Sequence, residues 1–400
     1  MLSLEQAQAA IRDRITRAQR TQIIALSDAV GCTLACAPVA AVDNPAFDNS
    51  AMDGYAYNAV DLARLQGRLP VQGESSCGTA PGVLTPGTTM RIFTGAPLPQ
   101  GADAIAIQEV VQLQGGVAVF PTAVKIEDFV RRRGEDFRSG EALYPVGHRI
   151  TPMDIALLAA AGVNQVEVFT KPAALVVATG DELVSPGTPL QAGQIYESNR
   201  AATIAQLRQL GAEVVDGGIV KDNPEILRSV LAGAVDYDFV ITSGGASVGD
   251  HDVVKQVFAQ LGSIEFWRVK IKPGKPLAFG RVGDKTHFFA LPGNPVSSLI
   301  TFKLFVEPAL KTWHHGVWTW MELAATVEND FRRSPGRMEF LRGRLRTENG
   351  RLYAQALPGQ GSHMLGTLRL TNGLIKIGEE SLGFKAGDTV TVVPLTLDVS

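Results

Sequence analysis

Four carboxylates lie in the loops that follow apolar runs of predicted strands. They are Glu182 after residues 173–178, Asp222 after residues 218–220, and Asp250 and Asp252 after residues 239–242. In an open parallel sheet, ligands bind beyond the carboxyl ends of the strands, so these side chains are expected at one edge. Carboxylate oxygens suit Mg²⁺ better than zinc. The pattern favours a metal site, although each residue alone could be a solvated loop residue or a helix N-cap, for which Asp222 before Asn223-Pro224 is a good candidate.

The loop Ser243–Gly249 is rich in glycine and connects the strand 239–242 to a predicted helix over residues 253–261. Glycines allow a ligand to approach the backbone closely, and the free N–H groups of the following helix favour an anion. No Gly-Lys-Ser/Thr follows and the pattern is not GxGxxG, so neither a Walker A site nor a dinucleotide site is indicated. A purely structural turn remains the alternative. The next strand, 287–291, is followed by another polar loop, Pro292-Gly293-Asn294-Pro295.

Three lysines in the segment 270–276 form the clearest basic feature. Alternation along an extended segment places Lys270 and Lys272 on one face, and the Pro273-Gly274 turn positions Lys275 separately. Lysines held between prolines beside an acidic, glycine-rich loop suit an oxyanion such as phosphate or molybdate. The alternative is a solvated hairpin.

A second set of polar loops lies in the N-terminal half, and its composition does not define a function. It comprises residues 47–56, 94–97, 108–109 and 131–136. Phe47 and Met52 are interpreted as core residues, and the arginines of 131–133 as either a solvated patch or an anion site.

The elements that must position these loops change in type along the chain. Ser3 and Gln6 form a capping box before an amphipathic helix. Short apolar runs separated by Gly and Pro predict a β-rich region, and alternating strands and helices from residue 172 predict a doubly wound α/β sheet. Beyond residue 320 a strand pattern returns, with Asn349-Gly350 as a hairpin turn. The predicted domains are residues 1–47 with 139–171 (mixed), 48–138 (β-rich), 172–317 (α/β) and 318–400 (a small β-barrel).

The composition excludes several classes of protein. A chain of 400 residues is expected to form several domains. A net charge of −3 and the lack of a basic stripe argue against nucleic acid as a partner. Three cysteines at irregular spacing argue against a disulfide framework. No apolar stretch approaches a bilayer span and no signal peptide is apparent, so we expect a cytoplasmic protein without a membrane partner.

Nine ordered motifs then make the pattern specific. They are FDNSAMDGYA, FTGAPLP, RRRGEDF, ATGDELV, QIYESN, SGGASVGDHD, IKPGKPLAFG, LPGNPVSS and QGSHML. In this order they closely resemble the molybdopterin molybdenumtransferase family, which is related to the E-domain of gephyrin. The resemblance covers essentially the whole chain.

The resemblance implies a homodimer whose active cleft is shared between subunits. One side would be lined by Glu182, Asp222, Ser247, Asp250, Asp252, Lys272, Lys275 and Pro292. The partner subunit would supply Asp53, Thr94, Arg131 and Asp136, and the C-terminal domain Ser362. Binding contacts are also expected from Ser243, Gly244, Gly245, Gly249, Lys270, Asn294 and Pro295, and from Arg268, where some family members carry Lys.

The implied reaction takes adenylylated molybdopterin, molybdate and Mg²⁺ to molybdenum cofactor and AMP. Glu182, Asp222 and Asp252 would bind the Mg²⁺, although Asp222 or Asp252 could instead orient a water. The pterin adenylyltransferase and cofactor-receiving enzymes are possible partners. A pterin adenylyltransferase is the nearest rival function, but the resemblance implies that it lacks the 47–56 and 131–136 motifs and the C-terminal β-domain. A scaffold protein is the rival of another class, and the intact acidic and lysine motifs argue against it.

Overall fold

The computed structural model describes residues 1–16, 19–121, 129–244, 257, 262–316 and 318–396. The chain forms two compact units, one from Met1–Gln22 with Phe169–Ser400 and one from Ile23–Val168. The predicted domain of residues 1–47 with 139–171 includes parts of both units, and the predicted domain boundaries stay a prediction. No helix in the described ranges is long and apolar enough to cross a bilayer.

A mixed sheet of six strands is the centre of the first unit. Its spatial order is Glu213–Val220, Ala173–Thr179, Phe239–Ser243, Thr286–Leu291, Pro276–Val282 and Gly262–Arg268. The first four strands are parallel, as predicted, and the last two are antiparallel. Those two strands were not predicted. Gly280 interrupts the apolar pattern of one of them. A glycine is needed there because the backbone passes Ser263 so closely that a Cβ would lie 2.1 Å from the Ser263 carbonyl oxygen.

Helices cover both faces of this sheet, which makes it doubly wound. Successive strand residues alternate between two separate cores: Val176 and Ile241 belong to one, and Val177 and Val240 to the other. The predicted fold class is thereby confirmed. The helices of this unit are Leu4–Arg12, Asn199–Gln209, Pro224–Ala232, Pro295–Thr301 and Glu307–His315, the last two joined by the π-helical turn Phe302–Val306. The N-terminal helix has the predicted capping box between Ser3 and Gln6. The predicted helix over 253–261 lies outside the described ranges, apart from Val257, which is helical.

Five strands of the C-terminal region close into a small barrel, as predicted. They are Met338–Glu348, Arg351–Ala356, Leu323–Val327, Thr389–Pro394 and Gly373–Ile377, and the last pairs back with the first. Asn349 and Gly350 both have positive φ, as a type I′ hairpin turn requires. The short strand Ile271–Lys272 pairs in parallel with Met338–Glu339 and so attaches the lysine segment to the barrel.

The second unit contains its own six-stranded sheet. The order is Ala104–Ile107, Gly54–Tyr57, Thr89–Ile92, Arg68–Ser75, Val117–Val119 and Gln112–Gln114. Its helices are Ala59–Arg64 and Pro152–Ala160, and Gly162 with φ +80° follows the second, where the sequence predicts its end. Four two-stranded pairs complete the described strands: Thr21–Ala25 with Gln165–Phe169, Asn49–Ser50 with Val130–Arg131, Leu183–Val184 with Ile195–Tyr196, and Phe331–Arg332 with Gly383–Phe384.

Candidate active site

Three carboxylates lie together after the strands Ala173–Thr179 and Glu213–Val220. The backbone N–H of Asp222 donates to Asp181 Oδ1 at 3.3 Å. Desolvation raises the pKa of Asp222, and the negative charges of Asp181 and Glu182 raise it further. The structure thus brings the predicted Glu182 and Asp222 to one edge and adds Asp181, which the sequence reasoning did not select.

The helix after Asp222 is capped by its neighbour. Asn223 Oδ1 accepts from the backbone N–H groups of Glu225 and Ile226 at 2.8 and 3.2 Å. The alternative reading of Asp222 as the helix cap is therefore wrong, because that position is already occupied. The carboxylate of Asp222 remains exposed at the acidic edge.

The donor set of the acidic edge suits a hard divalent cation. Carboxylate oxygens are the ligands that Mg²⁺ prefers, and their mutual repulsion would be relieved by a cation. Asp250 and Asp252 lie outside the described residues. Among the residues that are described, no group of three His, Cys, Asp or Glu side chains has metal-binding geometry. Glu182 and Asp222 fit the predicted ion through the chemistry of their carboxylate oxygens and not through a completed set of ligands.

The start of the glycine-rich loop is tightly packed. Ser243 ends its strand and is buried, and Gly244 has φ +90°. A Cβ on Gly244 would lie 2.4 Å from the Thr179 carbonyl oxygen, and its N–H donates to Leu291 O at 3.2 Å. Only glycine combines the positive φ with this close approach to Thr179. Gly245, Ser247 and Gly249 lie outside the described residues.

The loop Pro292–Pro295 adjoins this turn. A Cβ on Gly293 would lie 3.8 Å from Gly244 Cα, and Asn199 Nδ2 donates to the Gly293 carbonyl at 2.7 Å. Asn294 occupies the N-cap position of the helix Pro295–Thr301, but its side chain makes no capping hydrogen bond and is exposed. The exposed Asn294 amide is thus available for an anion, whereas Pro295 has no N–H and the N–H of Val296 donates to the Ser362 carbonyl.

Ser362 reaches the same helix start from the C-terminal region. Its carbonyl accepts from Val296 N at 3.1 Å. The buried guanidinium of Arg342 orders this segment by donating to the carbonyls of Gly359, Gly361 and Met364. Desolvation lowers the pKa of Arg342. The loop carrying Ser362 is therefore held by main-chain contacts to one buried cation.

The predicted lysines are attached to the barrel. Lys270 forms an ion pair with Glu379, and Lys272 Nζ lies 2.8 Å from Glu339 Oε1. Lys275 and Arg268 are exposed. The reading of this segment as a solvated hairpin is wrong, because it pairs with a barrel strand and Gly274 packs so closely on the helix that a Cβ would lie 2.5 Å from Thr301 Cγ2.

In the second unit, Asp53 and Thr94 form a contact pair. Asp53 Oδ1 accepts from both the backbone N–H and the hydroxyl of Thr94 at 2.8 Å. The Thr94 N–H bond lowers the pKa of Asp53 most, and the hydroxyl bond lowers it further. Phe47 and Met52 are 44% and 40% exposed, so their interpretation as core residues is wrong.

The arginine cluster is partly neutralised. Arg132 lies 2.6 Å from Asp48, and Arg133 pairs with Asp43. Arg131 is exposed on a strand that pairs with Asn49, and it forms no ion pair with another described residue. Asp136 accepts from Asn44 Nδ2 at 2.8 Å. Of the three arginines, Arg131 is the one whose charge is left for an anion.

Three family models match this chain along most of its length. The model of the MoeA N-terminal region (domain I and II) matches residues 2–162, that of a probable molybdopterin binding domain residues 175–312, and that of the MoeA C-terminal region (domain IV) residues 324–395. Curated molybdopterin molybdenumtransferase of Haemophilus influenzae is 37% identical, over 98% of each chain. The chain belongs to the MoeA family of molybdopterin molybdenumtransferases.

Further relatives give the same result. Molybdopterin molybdenumtransferase 2 of Mycobacterium tuberculosis is 37% identical over 99% of this chain and 100% of the relative. A solved structure of the molybdopterin biosynthesis MoeA protein from Pyrococcus horikoshii is 30% identical, with a TM-score of 0.85 over 99% of each chain. The family resemblance in the nine motifs is confirmed, and the chain is a transferase of molybdenum cofactor biosynthesis.

The sequence reasoning missed four residues that shape the site. They are Asp181, Asn199, Glu339 and Arg342. Asp181 and Asn199 lie inside the ATGDELV and QIYESN motifs, so their proximity to selected residues was a usable signal. Glu339 and Arg342 stand in an alternating barrel strand, where a charged residue ordinarily faces solvent.

Proposed function

We propose that this family member inserts molybdate into adenylylated molybdopterin in a Mg²⁺-dependent reaction that releases AMP. The observation that carries the proposal is the acidic edge of Asp181, Glu182 and Asp222, which has no ion-pair partner among the described residues. Its position beyond the carboxyl ends of parallel strands is where an α/β sheet binds its ligand. Water would take up the adenylyl group as the phosphoanhydride breaks, which releases AMP. The dithiolene sulfurs of the substrate would bind the metal of molybdate, and one molybdate oxygen would leave as water with the two thiol protons.

Acidic and basic residues of the chain would have different roles in this reaction. Glu182, Asp222 and Asp252 would hold Mg²⁺, which when bound polarises and screens the phosphoanhydride. Lys272 and Lys275, with the N–H groups at Ser243–Gly249 and Pro292–Pro295, would bind phosphate and molybdate oxygens. Lys270, Arg268 and Ser362 would complete the contacts. Such preorganised groups stabilise developing charge without reorganisation.

A homodimer with a shared cleft is part of the proposal. The pair Asp53–Thr94, the uncompensated Arg131 and Asp136 offer a second set of charged and polar groups on the other compact unit. Phe47 and Met52 expose apolar surface beside Asp53, as expected of residues that a ligand or partner covers. We further place the enzyme in the cytoplasm, with the pterin adenylyltransferase and cofactor-receiving enzymes as candidate partner proteins.

The proposal is tested by AMP release from adenylylated molybdopterin, quantified by chromatography. We expect AMP to appear only when both molybdate and Mg²⁺ are present. AMP release that does not depend on molybdate, or no AMP release at all, would overturn the proposed insertion step. Synthesis of adenylylated molybdopterin from ATP and molybdopterin would instead support the adenylyltransferase alternative.

A further inference from the structure

A buried carboxylate of the barrel contacts one of the site lysines. Glu339 is 3% exposed, and its Oε1 lies 2.8 Å from Lys272 Nζ. The two residues are partners in the parallel pairing of Ile271–Lys272 with Met338–Glu339. The lysine side chain as a whole is half-exposed, so Lys272 is open to solvent while its Nζ lies within ion-pair distance of Glu339. An ammonium carries three N–H donors, so the contact with Glu339 leaves donors for a ligand.

A second cation balances this carboxylate. Arg333 Nη1 lies 3.3 Å from Glu339 Oε2, and its side chain is 6% exposed. Arg333 is fixed independently, because its Nη2 donates to Arg337 O at 2.7 Å and its Nε to Ser334 O at 3.0 Å. Two cations and one carboxylate leave one positive charge. That charge is at Lys272, since Lys272 is the exposed member of the three.

We infer that Glu339, neutralised from behind by Arg333, positions Lys272 for the oxyanion substrate. The inference rests on the proposed function, because it assumes that Lys272 contacts molybdate or phosphate. A free lysine loses considerable rotamer entropy when it binds, and an anchored one has already lost it. The triad therefore improves anion binding although it includes a negative charge.

A purely neutralising role for Glu339 predicts the opposite change in anion affinity. If Glu339 only neutralised Lys272, its removal would free a positive charge and tighten anion binding. If Glu339 is a positioning residue, its removal leaves a mobile lysine and binding weakens. The sign of the change in affinity separates the two roles.

The test is the affinity of the full-length protein for inorganic molybdate by calorimetry, with KM for molybdate and kcat measured alongside. Glu339→Gln is expected to raise Kd and KM about tenfold, the effect of one charge-assisted contact, with a smaller change in kcat. Glu322→Gln is the matched control, because Glu322 Oε1 also lies 2.8 Å from a lysine, Lys376, in the same barrel. The control is expected to bind molybdate like the wild type.

Two further variants keep each result interpretable. Glu339→Asp retains the charge but shortens the side chain, so its Kd should lie between those of wild type and Glu339→Gln, and it carries the test if the glutamine variant does not fold. Wild-type or tighter binding by Glu339→Gln or Glu339→Asp would overturn the inference. Lys272→Met should weaken molybdate binding; if it does not, the proposed oxyanion site itself fails, whatever Glu339 does.

Discussion

Asp222 and Asn223 are neighbours for which the structure gives opposite roles. Asn223 caps the helix Pro224–Ala232, whereas Asp222 points its charge at the acidic edge. Asp222→Asn should therefore abolish turnover and leave the helix intact. Asn223→Ala should loosen the helix and leave the chemistry largely unchanged.

The magnitudes follow from the contacts. Loss of an N-cap costs about 1 kcal/mol, which corresponds to about fivefold faster hydrogen exchange of amides in Pro224–Ala232. Asp222→Asn removes a carboxylate whose pKa is raised by burial and by Asp181 and Glu182, so at pH values where this carboxylate is ionised the variant should lose no stability and should gain slightly. Removing a metal ligand costs several kcal/mol of transition-state stabilisation, about a hundredfold or more in turnover.

Each variant is assayed for AMP release and for amide exchange by mass spectrometry. The expected results are an inactive Asp222→Asn with wild-type exchange, and an active Asn223→Ala with local acceleration in that helix. Adding excess Mg²⁺ should partly restore Asp222→Asn if the lost group is a ligand. Unchanged turnover in Asp222→Asn, or accelerated exchange in it, would refute the assignment of the carboxylate to the site.

Three other predictions address strain, pH and assembly. Gly244→Ala should lower the free energy of unfolding by about 1–3 kcal/mol and reduce activity, because its Cβ would lie 2.4 Å from the Thr179 carbonyl oxygen. Gly211→Ala is the control for backbone strain alone, since Gly211 has φ +89° and nothing lies within 4 Å of its Cβ position. Equal shifts of Tm in the two variants would contradict the argument. Burial, and then the charge of Arg281, lower the pKa of His287 from 6.5 to about 4, so the unfolded chain binds a proton before the folded one does. The free energy of unfolding should therefore fall by about 3 kcal/mol as the pH drops from 6.5 to about 4. Urea unfolding of His287→Phe should show a flatter dependence of stability on pH, and a dependence identical to that of the wild type would argue against this prediction. Co-purified Asp53→Ala and Asp222→Ala subunits should regain AMP release that neither has alone if one cleft uses both chains, whereas no recovery in verified mixed dimers would place each cleft within one subunit.

The strands buried on both faces were predictable because a short, continuous apolar run between polar loops is typical of such a strand. The runs 173–178, 239–242 and 287–291 are continuous apolar segments, and each proved to be a parallel strand of the central sheet. The loops after them carry the acidic and glycine residues, so the edge of the site followed from topology. The edge strand Glu213–Val220 was predicted only in pieces, because Gly217 and Gly218 interrupt its apolar pattern.

Contacts that depend on tertiary packing were not predictable from local pattern. Glu339 and Arg342 occupy a strand in which polar and apolar residues alternate, yet both are buried, with exposures of 3% and 1%. Their burial is possible only because lysine, arginine and main-chain carbonyls from distant segments satisfy them. The partner-subunit residues were assigned by family resemblance alone, since nothing local distinguishes Asp53 or Asp136 from ordinary loop carboxylates.

The two signs of charge in the first unit are held by different elements. Lys270 and Lys272 pair with barrel carboxylates, while Asp181, Glu182 and Asp222 form no ion pair among the described residues. Had the lysines paired with these carboxylates, both sets would be neutralised, and the pKa of Asp222 would be lowered rather than raised. The barrel carboxylates thus hold the lysines, and the acidic edge keeps its negative charge for a cation. In the proposed function the oxyanion is bound by Lys272, because Arg333 balances Glu339 and leaves that cluster one positive charge.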